Sequence, residues 1–280
     1  MPLQFVYCNQ DFVADVHRCS GNRLGSPATK FDTTVQAGWT DRMNRGLFRY
    51  HLDPSSCFPQ VMTSFAIQAG VESVLLSSDP GFRVGFNSLG AFASVNHLHL
   101  HGYYLDHELK IESMPVKPLV PEKGFYRLLG FPAGFLFYTE SERVEKVAEA
   151  ICQVTDFLVD RNIAHNLFVT RGCPPCDRPQ NGKDHCSRKG VRIAVWPRTA
   201  CFGAKDESAF NVALCELAGH LPFKNRKDYE LTSEKGVMDI IQKYLLPDSE
   251  FHTLEQHLTR HLMDLSPLDF NAFSNPVLIN

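Results

Sequence analysis

Three histidines alternate with leucines over residues 97–101, and this pattern constrains the chain more than any other feature. Strict alternation predicts a half-buried β-strand, because successive side chains of a strand point to opposite faces. His97, His99 and His101 would then line one face, while the leucines between them enter the core. Residues two apart on a strand are separated by about 6.6 Å, so three imidazoles in a row can surround a group the size of a phosphate. We therefore expect the chemistry of this chain at the histidine row.

The remaining periodicity predicts a sheet with helices packed around it. Apolar residues recur at helical spacing in several segments, and short apolar or alternating runs between them predict strands. The predicted helices cover residues 37–52, 61–76, 141–160, 208–221, 234–245 and 249–265. The predicted strands, besides the histidine strand, cover residues 82–86, 134–138, 163–170 and 191–196. Because strands and helices do not alternate regularly, the pattern favours an α+β fold with a largely antiparallel sheet.

The length of 280 residues allows one large domain with a substantial buried core. We predict that residues 1–56 form an N-terminal arm and helix and that residues 57–265 form the catalytic domain. Residues 266–280 show no periodicity and are predicted to be an irregular tail.

Charge and cysteine content narrow the partners and the compartment. Lys and Arg number 28 against 31 Asp and Glu, giving a net charge of −3, which argues against nucleic acid as a partner. Nine cysteines are an odd number in a chain too long to need disulfides, which predicts free thiols in a reducing compartment. The N-terminus lacks a signal-peptide pattern, and no apolar run reaches membrane-spanning length. We therefore predict a cytoplasmic protein that binds neither nucleic acid nor a membrane.

The histidine row allows three interpretations. In the first, a neutral imidazole attacks phosphorus; His99 is the natural nucleophile because His97 and His101 can both reach the same phosphoryl oxygens. In the second, two of the histidines share a metal ion, but the outer pair lies about 13 Å apart along a strand and no further ligand motif accompanies the row. In the third, the histidines only form a polar sheet face. Three histidines in perfect alternation favour the first interpretation, which requires no metal and no cofactor.

Four further residues are candidates for the site. Arg83 and Arg171 could meet a substrate phosphate, although structural or surface arginines are more common. Lys205, near the start of a predicted helix, could also bind phosphate. His165 lies in a predicted strand; it could face the site, but a buried structural histidine is the interpretation we favour.

One long loop carries four residues that can bind zinc, three cysteines and one histidine. Cys173 and Cys176 form a C-x-x-C pair, and His185 and Cys186 follow. Adjacent ligands are awkward for one tetrahedral site, and no helix signal follows the second cysteine as a redox pair would require. We favour a plain loop and predict no metal.

Several longer segments resemble a known branch of the histidine-triad superfamily, which contains nucleotide hydrolases and nucleotidyl transferases. They are residues 81–90 with 94–105, the run Ala-His-Asn-Leu-Phe-Val-Thr-Arg-Gly at 164–172, and Phe-Asn-Val-Ala-Leu-Cys-Glu-Leu-Ala-Gly-His at 210–220. The chain resembles the animal GDP-D-glucose phosphorylases, kin of the plant GDP-L-galactose phosphorylases, over about residues 60–246. Asn87 and Ser94 match the asparagine and serine that precede the histidines in the family pattern.

The resemblance implies a histidine-triad-like sheet and a reaction in two steps. His99 would attack the phosphorus next to guanosine in GDP-D-glucose, releasing glucose 1-phosphate and leaving GMP on the histidine. Inorganic phosphate would then attack this intermediate and release GDP. His97 and His101 would orient the nucleophile or the phosphoryl oxygens, and Asn87 and Ser94 would donate hydrogen bonds to phosphate.

The chain departs from this branch after about Leu52. The family normally carries several further strands here, whereas this sequence runs almost directly into the helix predicted at 61–76. Missing strands would leave sheet edges unpaired and apolar faces uncovered. We therefore hold two hypotheses, namely an active nucleotidyltransferase of partly truncated fold, and a catalytically weak or inactive isoform that binds nucleotides or a partner protein.

Overall fold

The computed structural model describes residues 5–16, 27–45, 59–177, 187–202 and 208–263. Seven helices are described: α1 Lys30–Asn44, α2 Ser64–Leu76, α3 Val144–Asp160, α4 Leu214–Leu217, α5 Arg226–Leu231, α6 Glu234–Gln242 and α7 Asp248–Leu262. Seven strands form one sheet: β1 Phe82–Asn87, β2 His101–Tyr104, β3 Val116–Val120, β4 Phe125–Leu128, β5 Phe135–Thr139, β6 Ala164–Gly172 and β7 Gly190–Arg198.

The strands follow the order β2-β1-β6-β7-β5-β4-β3, and every neighbouring pair is antiparallel. This arrangement confirms the predicted α+β class with an antiparallel sheet. Within the described part of the chain, β2 and β3 are the two edge strands. The strand that continues from the histidine row therefore lies at the margin of the sheet.

Both faces of the sheet are covered, and each has its own apolar core. Helices α2, α3 and α7 pack on the first face, where Phe82, Val84 and Phe86 of β1 point. Helix α4, α6 and the segment after β2 cover the second face. Side chains alternate along a strand, so Arg83, Gly85 and Asn87 of β1 point to this second face. The central strands β1, β6 and β7 are buried along their whole length as a result.

The predicted helices differ from the structure mainly at their ends. Helix α1 begins at Lys30, before the predicted start at residue 37, because Thr29 accepts a hydrogen bond from the backbone N–H of Asp32 and caps it. Residues 46–52 of that prediction lie outside the described residues. The helix predicted at 208–221 is helical only over Leu214–Leu217. Ser141, the predicted cap of α3, instead begins a short 3₁₀ turn that precedes the helix.

Strands β3 and β4 were not predicted. Pro118 interrupts β3, and proline within an apolar run argues against a strand unless the strand is at an edge. β3 is such an edge strand, and its register shifts after Pro118. β4 is only 4 residues long, too short to show a period.

One cysteine contradicts the prediction of free thiols. Cys173 is part of a disulfide bond. Five other described cysteines are free, namely Cys8, Cys152, Cys176, Cys201 and Cys215. His185 and Cys186, considered as zinc ligands, are not among the described residues, within which no group of three metal-binding side chains occurs. The predicted cytoplasmic location stays a prediction.

None of the helices in the described ranges is both long and apolar enough to cross a bilayer.

Candidate active site

The histidine row is only partly a strand. β2 begins at His101, residues 98–100 have no regular structure, and His97 lies in a bend. All three histidines are half-buried. Leu98 and Leu100 pack against the first core, as the alternation predicted. The row therefore keeps the expected alternation of faces without keeping the hydrogen-bond ladder of a strand.

The rings of His99 and His101 lie together on the second face. Their centroids are 4.8 Å apart, with the rings inclined at 63°. His101 in turn stacks on Tyr103 at 6.2 Å, with an angle of 14° between the ring planes. His101 is paired across the sheet with Gly85. Because Gly85 has no side chain, Leu214 of α4 packs directly against the backbone at this position.

A hydrogen bond to the backbone fixes the tautomer of His99. Its Nδ1 lies 2.6 Å from the carbonyl oxygen of His97. A carbonyl oxygen only accepts, so in the neutral ring Nδ1 carries the proton and Nε2 carries the lone pair. The carbonyl of His97, which lies in a bend, thus faces the imidazole two residues further along the chain.

His101 is neutral at physiological pH. Burial, and after it the neighbouring His99, lowers the pKa of His101 from 6.5 to about 4. A neutral His101 does not repel a proton donor or a cation beside it, and it can donate or accept one hydrogen bond according to its tautomer.

Asn87 ends β1 on the same face of the sheet as His101. It is 5% exposed, and its Oδ1 accepts hydrogen bonds from Asn166 Nδ2 at 2.6 Å and from the backbone N–H of Leu214 at 3.1 Å. Gln60 connects this strand end to the histidine loop. Its backbone N–H donates to Asn96 Oδ1 at 2.9 Å and its Nε2 donates to the carbonyl of Asn87 at 2.8 Å.

Two sequence profiles of one family match this chain. The profile described as "GDPGP1-like, N-terminal domain" matches residues 53–103, and the one described as "GDPGP1-like, C-terminal domain" matches residues 110–265. The second match alone covers more than half of the chain. The chain belongs to the GDPGP1-like family.

Three curated relatives are between 27% and 56% identical to this GDPGP1-like chain. GDP-D-glucose phosphorylase 1 of Danio rerio is 45% identical over 92% of this chain and 98% of its own length. The Xenopus laevis protein of the same name is 56% identical over 75% of this chain and 52% of its own length. GDP-L-galactose phosphorylase 1 of Arabidopsis thaliana is 27% identical over 70% of this chain and 43% of its own length. In most of these alignments the chain spans about half the length of its relative.

A solved structure, yeast Ap4A phosphorylase Apa2 in complex with Ap4A, is similar at 13% identity with a TM-score of 0.43. The alignment covers 69% of this chain and 67% of the yeast chain.

The alignment with the fish relative also shows that this chain lacks residues that the relative has. It spans 342 positions, whereas 92% of this chain is only about 258 residues, so about 84 aligned positions have no residue here. The GDPGP1-like chain is therefore shorter than this relative within the aligned region. That the missing positions follow Leu52 stays a prediction.

The other candidates predicted for the GDPGP1-like site lie in different surroundings. Ser94 is exposed, in the bend before His97, and Lys205 lies outside the described residues. Arg171 is 1% exposed and points to the first face, across the sheet from His99 and His101. Its guanidinium donates to the carbonyls of five residues, which tie α2 to neighbouring segments: Val13, Val74, Leu75, Arg188 and Lys189.

Arg83 points to the second face but is held beneath the surface. It is 0% exposed and forms an ion pair with Glu112. It also donates to the carbonyls of Gly81, Leu105 and His107. Both arginines therefore bind internal partners, which is the more common of the two environments that the sequence left open, and the structure does not bring them to the histidine row.

His165 is the buried structural histidine that the sequence favoured. It is 1% exposed, lies beside Phe86 at a ring distance of 6.1 Å, and points to the first face. Burial lowers its pKa from 6.5 to about 4.

Two polar residues next to the site were missed by the sequence analysis. Asn166 and Arg198 are 0% and 1% exposed and lie on the second face, linked to Asn87. The available signal was an asparagine inside an otherwise apolar strand, because buried polar side chains need partners. A single sequence does not show which partner a buried asparagine finds.

Proposed function

We propose that this chain is a nucleotidyltransferase that converts GDP-D-glucose and inorganic phosphate to GDP and glucose 1-phosphate through GMP bound to His99. Membership of the GDPGP1-like family and the names of the vertebrate relatives support the substrate. The histidine row supports the mechanism.

One observation carries the mechanism, the 2.6 Å contact between His99 Nδ1 and the carbonyl of His97. It directs the Nε2 lone pair away from the backbone and fixes the plane of the ring. A nucleophile held in one orientation loses less entropy on reaching phosphorus than a freely rotating one. The same carbonyl stabilises the Nδ1 proton as positive charge develops on the attacked ring.

In the first step, the Nε2 lone pair forms a bond to the phosphorus that carries guanosine. The bond from that phosphorus to the bridging oxygen breaks, and its electron pair leaves with glucose 1-phosphate. In the second step, an oxygen of inorganic phosphate attacks the same phosphorus, the P–N bond breaks, and His99 recovers its lone pair. GDP is the product, and no electron is gained or lost.

Hydrogen-bond donors, rather than the arginines, would meet the phosphoryl oxygens in this proposal. Asn87 can offer its Nδ2, since its Oδ1 is already occupied by two donors. Ser94 can offer its hydroxyl from the bend before the row. Neutral His101 can donate one hydrogen bond beside His99.

The test uses GDP-D-glucose carrying ³²P in the phosphate next to guanosine. We expect acid-labile, base-stable label on the wild-type protein and its transfer to GDP when phosphate is added. His99→Asn should take no label, whereas His252→Asn, the same change at an exposed position of α7, should label normally. Label that persists in His99→Asn would refute the assignment of the nucleophile.

A second candidate function is nucleotide binding without turnover. Three observations favour it. The first two are the roughly 84 aligned positions of the fish relative that have no residue here and the position of β2 at an edge of the described sheet. Leu89 and Phe202 also expose 42% and 76% of their surface beside the turn at Gly90. Binding of GDP with no label at high protein concentration would favour this candidate.

A further inference from the structure

A chain of buried polar side chains runs under the candidate site on the second face of the sheet. Arg198 of β7, Asn166 of β6 and Asn87 of β1 are 1%, 0% and 5% exposed. Asn166 pairs across the sheet with Asn87 on one side and with Trp196 on the other. Burying polar groups is unfavourable unless each is hydrogen-bonded, so a row of three at one place requires a reason.

The hydrogen bonds among these three buried side chains can run in only one direction. Arg198 can only donate, so the atom of Asn166 that lies 3.4 Å from its Nη1 is the oxygen Oδ1. Nδ2 of Asn166 then donates to the carbonyl of Ala91 at 2.9 Å and to Oδ1 of Asn87 at 2.6 Å. The backbone N–H of Leu214, also only a donor, confirms that the same atom of Asn87 is an oxygen, at 3.1 Å.

The orientation of each side-chain amide is therefore fixed by groups that can only donate or only accept a hydrogen bond. Flipping Asn166 would place two donors against Arg198 and an oxygen against the carbonyl of Ala91. Flipping Asn87 would place donors against both Asn166 and Leu214. Either flip leaves buried groups unsatisfied, which costs about 1–3 kcal/mol for each group.

We infer that Asn166 and Arg198 are positioning residues that hold the carboxamide of Asn87 with its NH₂ group facing the phosphoryl group of the substrate. The inference rests on the proposed function. Within the described residues Asn87 Nδ2 makes no hydrogen bond, and it is not among the buried polar atoms that lack a partner, so it is open to solvent. Gln60 bonds both the carbonyl of Asn87 and the side chain of Asn96, which places the strand end next to the histidine loop.

Orientation matters because the two ends of a carboxamide have opposite polarity. An NH₂ group donates to an anionic phosphoryl oxygen, whereas the carbonyl end repels it. Arg198 is itself clamped, since its guanidinium lies 4.9 Å from the ring centroids of both Phe92 and Tyr244. In this row of side chains, Arg198 is therefore the rigid end, remote from substrate, and Asn87 is the end that would touch substrate.

The test is a double-mutant cycle between Asn166→Asp and Asn87→Ala, read out as the dissociation constant for GDP. Aspartate has the shape of asparagine but cannot donate when ionised, so Asn87 would turn its NH₂ group inward. We expect Asn166→Asp to weaken GDP binding about tenfold, and Asn87→Ala by a similar factor. The double variant should bind no more weakly than Asn87→Ala, because Asn166 acts only through Asn87.

Asn162→Asp, the same chemical change at an exposed turn after α3, is the matched control and should leave binding unchanged. If the two effects multiply, or if Asn166→Asp binds GDP as well as the wild type, the inference is wrong. Failure of the wild type both to bind GDP and to take the ³²P label would instead overturn the proposed function, and this inference with it.

A measurement on the wild type covers the case in which Asn166→Asp does not fold. The side-chain NH₂ resonances of Asn166 should exchange slowly with solvent, because both protons are buried in hydrogen bonds, and those of Asn87 should exchange fast. Adding GDP should shift the Asn87 resonances and leave those of Asn166 in place. Slow exchange at Asn87 without GDP would mean that its NH₂ group points inward, against the inference.

Discussion

Glu112 is the residue whose replacement should destabilise this chain most clearly. Its carboxylate is 1% exposed and pairs with Arg83, which is 0% exposed, and with Arg188. Two cations thus depend on one buried anion. Glu112→Gln keeps the volume, so it opens no cavity, but it removes the charge and leaves the guanidinium of Arg83 buried without a counter-ion.

The expected loss follows from this burial. Removing one partner of a buried ion pair costs about 3–5 kcal/mol, because the remaining charge keeps its desolvation penalty. At about 2–4 °C per kcal/mol for a large domain, the melting temperature should fall by roughly 10 °C. Glu108→Gln is the matched control: Glu108 also pairs with Arg188 but is 62% exposed, and such pairs contribute about 0–1 kcal/mol.

Urea unfolding followed by circular dichroism measures both losses. A second variant, Arg83→Met, tests the reason. Once the guanidinium is gone, Glu112→Gln should cost far less than it does alone, because no buried cation is then left unpaired. The reasoning is refuted if Glu112→Gln and Glu108→Gln differ by less than about 1 kcal/mol, since burial would then not decide the strength of the pair.

Three further predictions follow from other buried groups. The pKa of His165 is about 4 when folded against 6.5 for an ordinary histidine, so acid favours unfolding. Between pH 7.5 and 5 this histidine should remove about 2 kcal/mol of stability, and urea titrations of His165→Gln should show a pH dependence smaller by that amount; equal dependence would contradict it. Gly85→Ala would place a Cβ 2.4 Å from Leu214 Cδ1 and should cost about 1–3 kcal/mol in urea unfolding, with weaker GDP binding because Leu214 N–H bonds Asn87. Arg171→Lys should lower the melting temperature yet leave the GDP dissociation constant of the folded protein within twofold, since Arg171 faces the opposite side of the sheet. A large change in affinity would show that Arg171 contributes to GDP binding.

The sequence predicted the parts of the fold that depend on local periodicity. The stripe of α3 and the apolar runs of β6 and β7 were placed almost to the residue, because each buries a regular pattern. β3 and β4 were missed because a proline and a short length hide the period. The start of α1 was missed although Thr29 and Asp32 carry a capping signal.

The sequence predicted which side chains of the histidine row point inward, but not which residues surround the row. The alternation of His97, His99 and His101 identified the row, and Leu98 and Leu100 do pack inward. The sequence left two environments open for the arginines, a substrate phosphate or internal partners, because a charged residue in a strand can have either. Arg171 donates to five internal carbonyls, which no local pattern records.

The contacts that organise the site all come from residues within the two family matches, the first of which begins at residue 53. His99 is fixed by His97, Asn87 by Asn166 and Leu214, and the strand end by Gln60. The roughly 84 aligned positions of the fish relative that have no residue here include none of these groups. The contacts that orient His99, the nucleophile of the proposed reaction, and Asn87, its proposed phosphate donor, are therefore all present in the shortened chain.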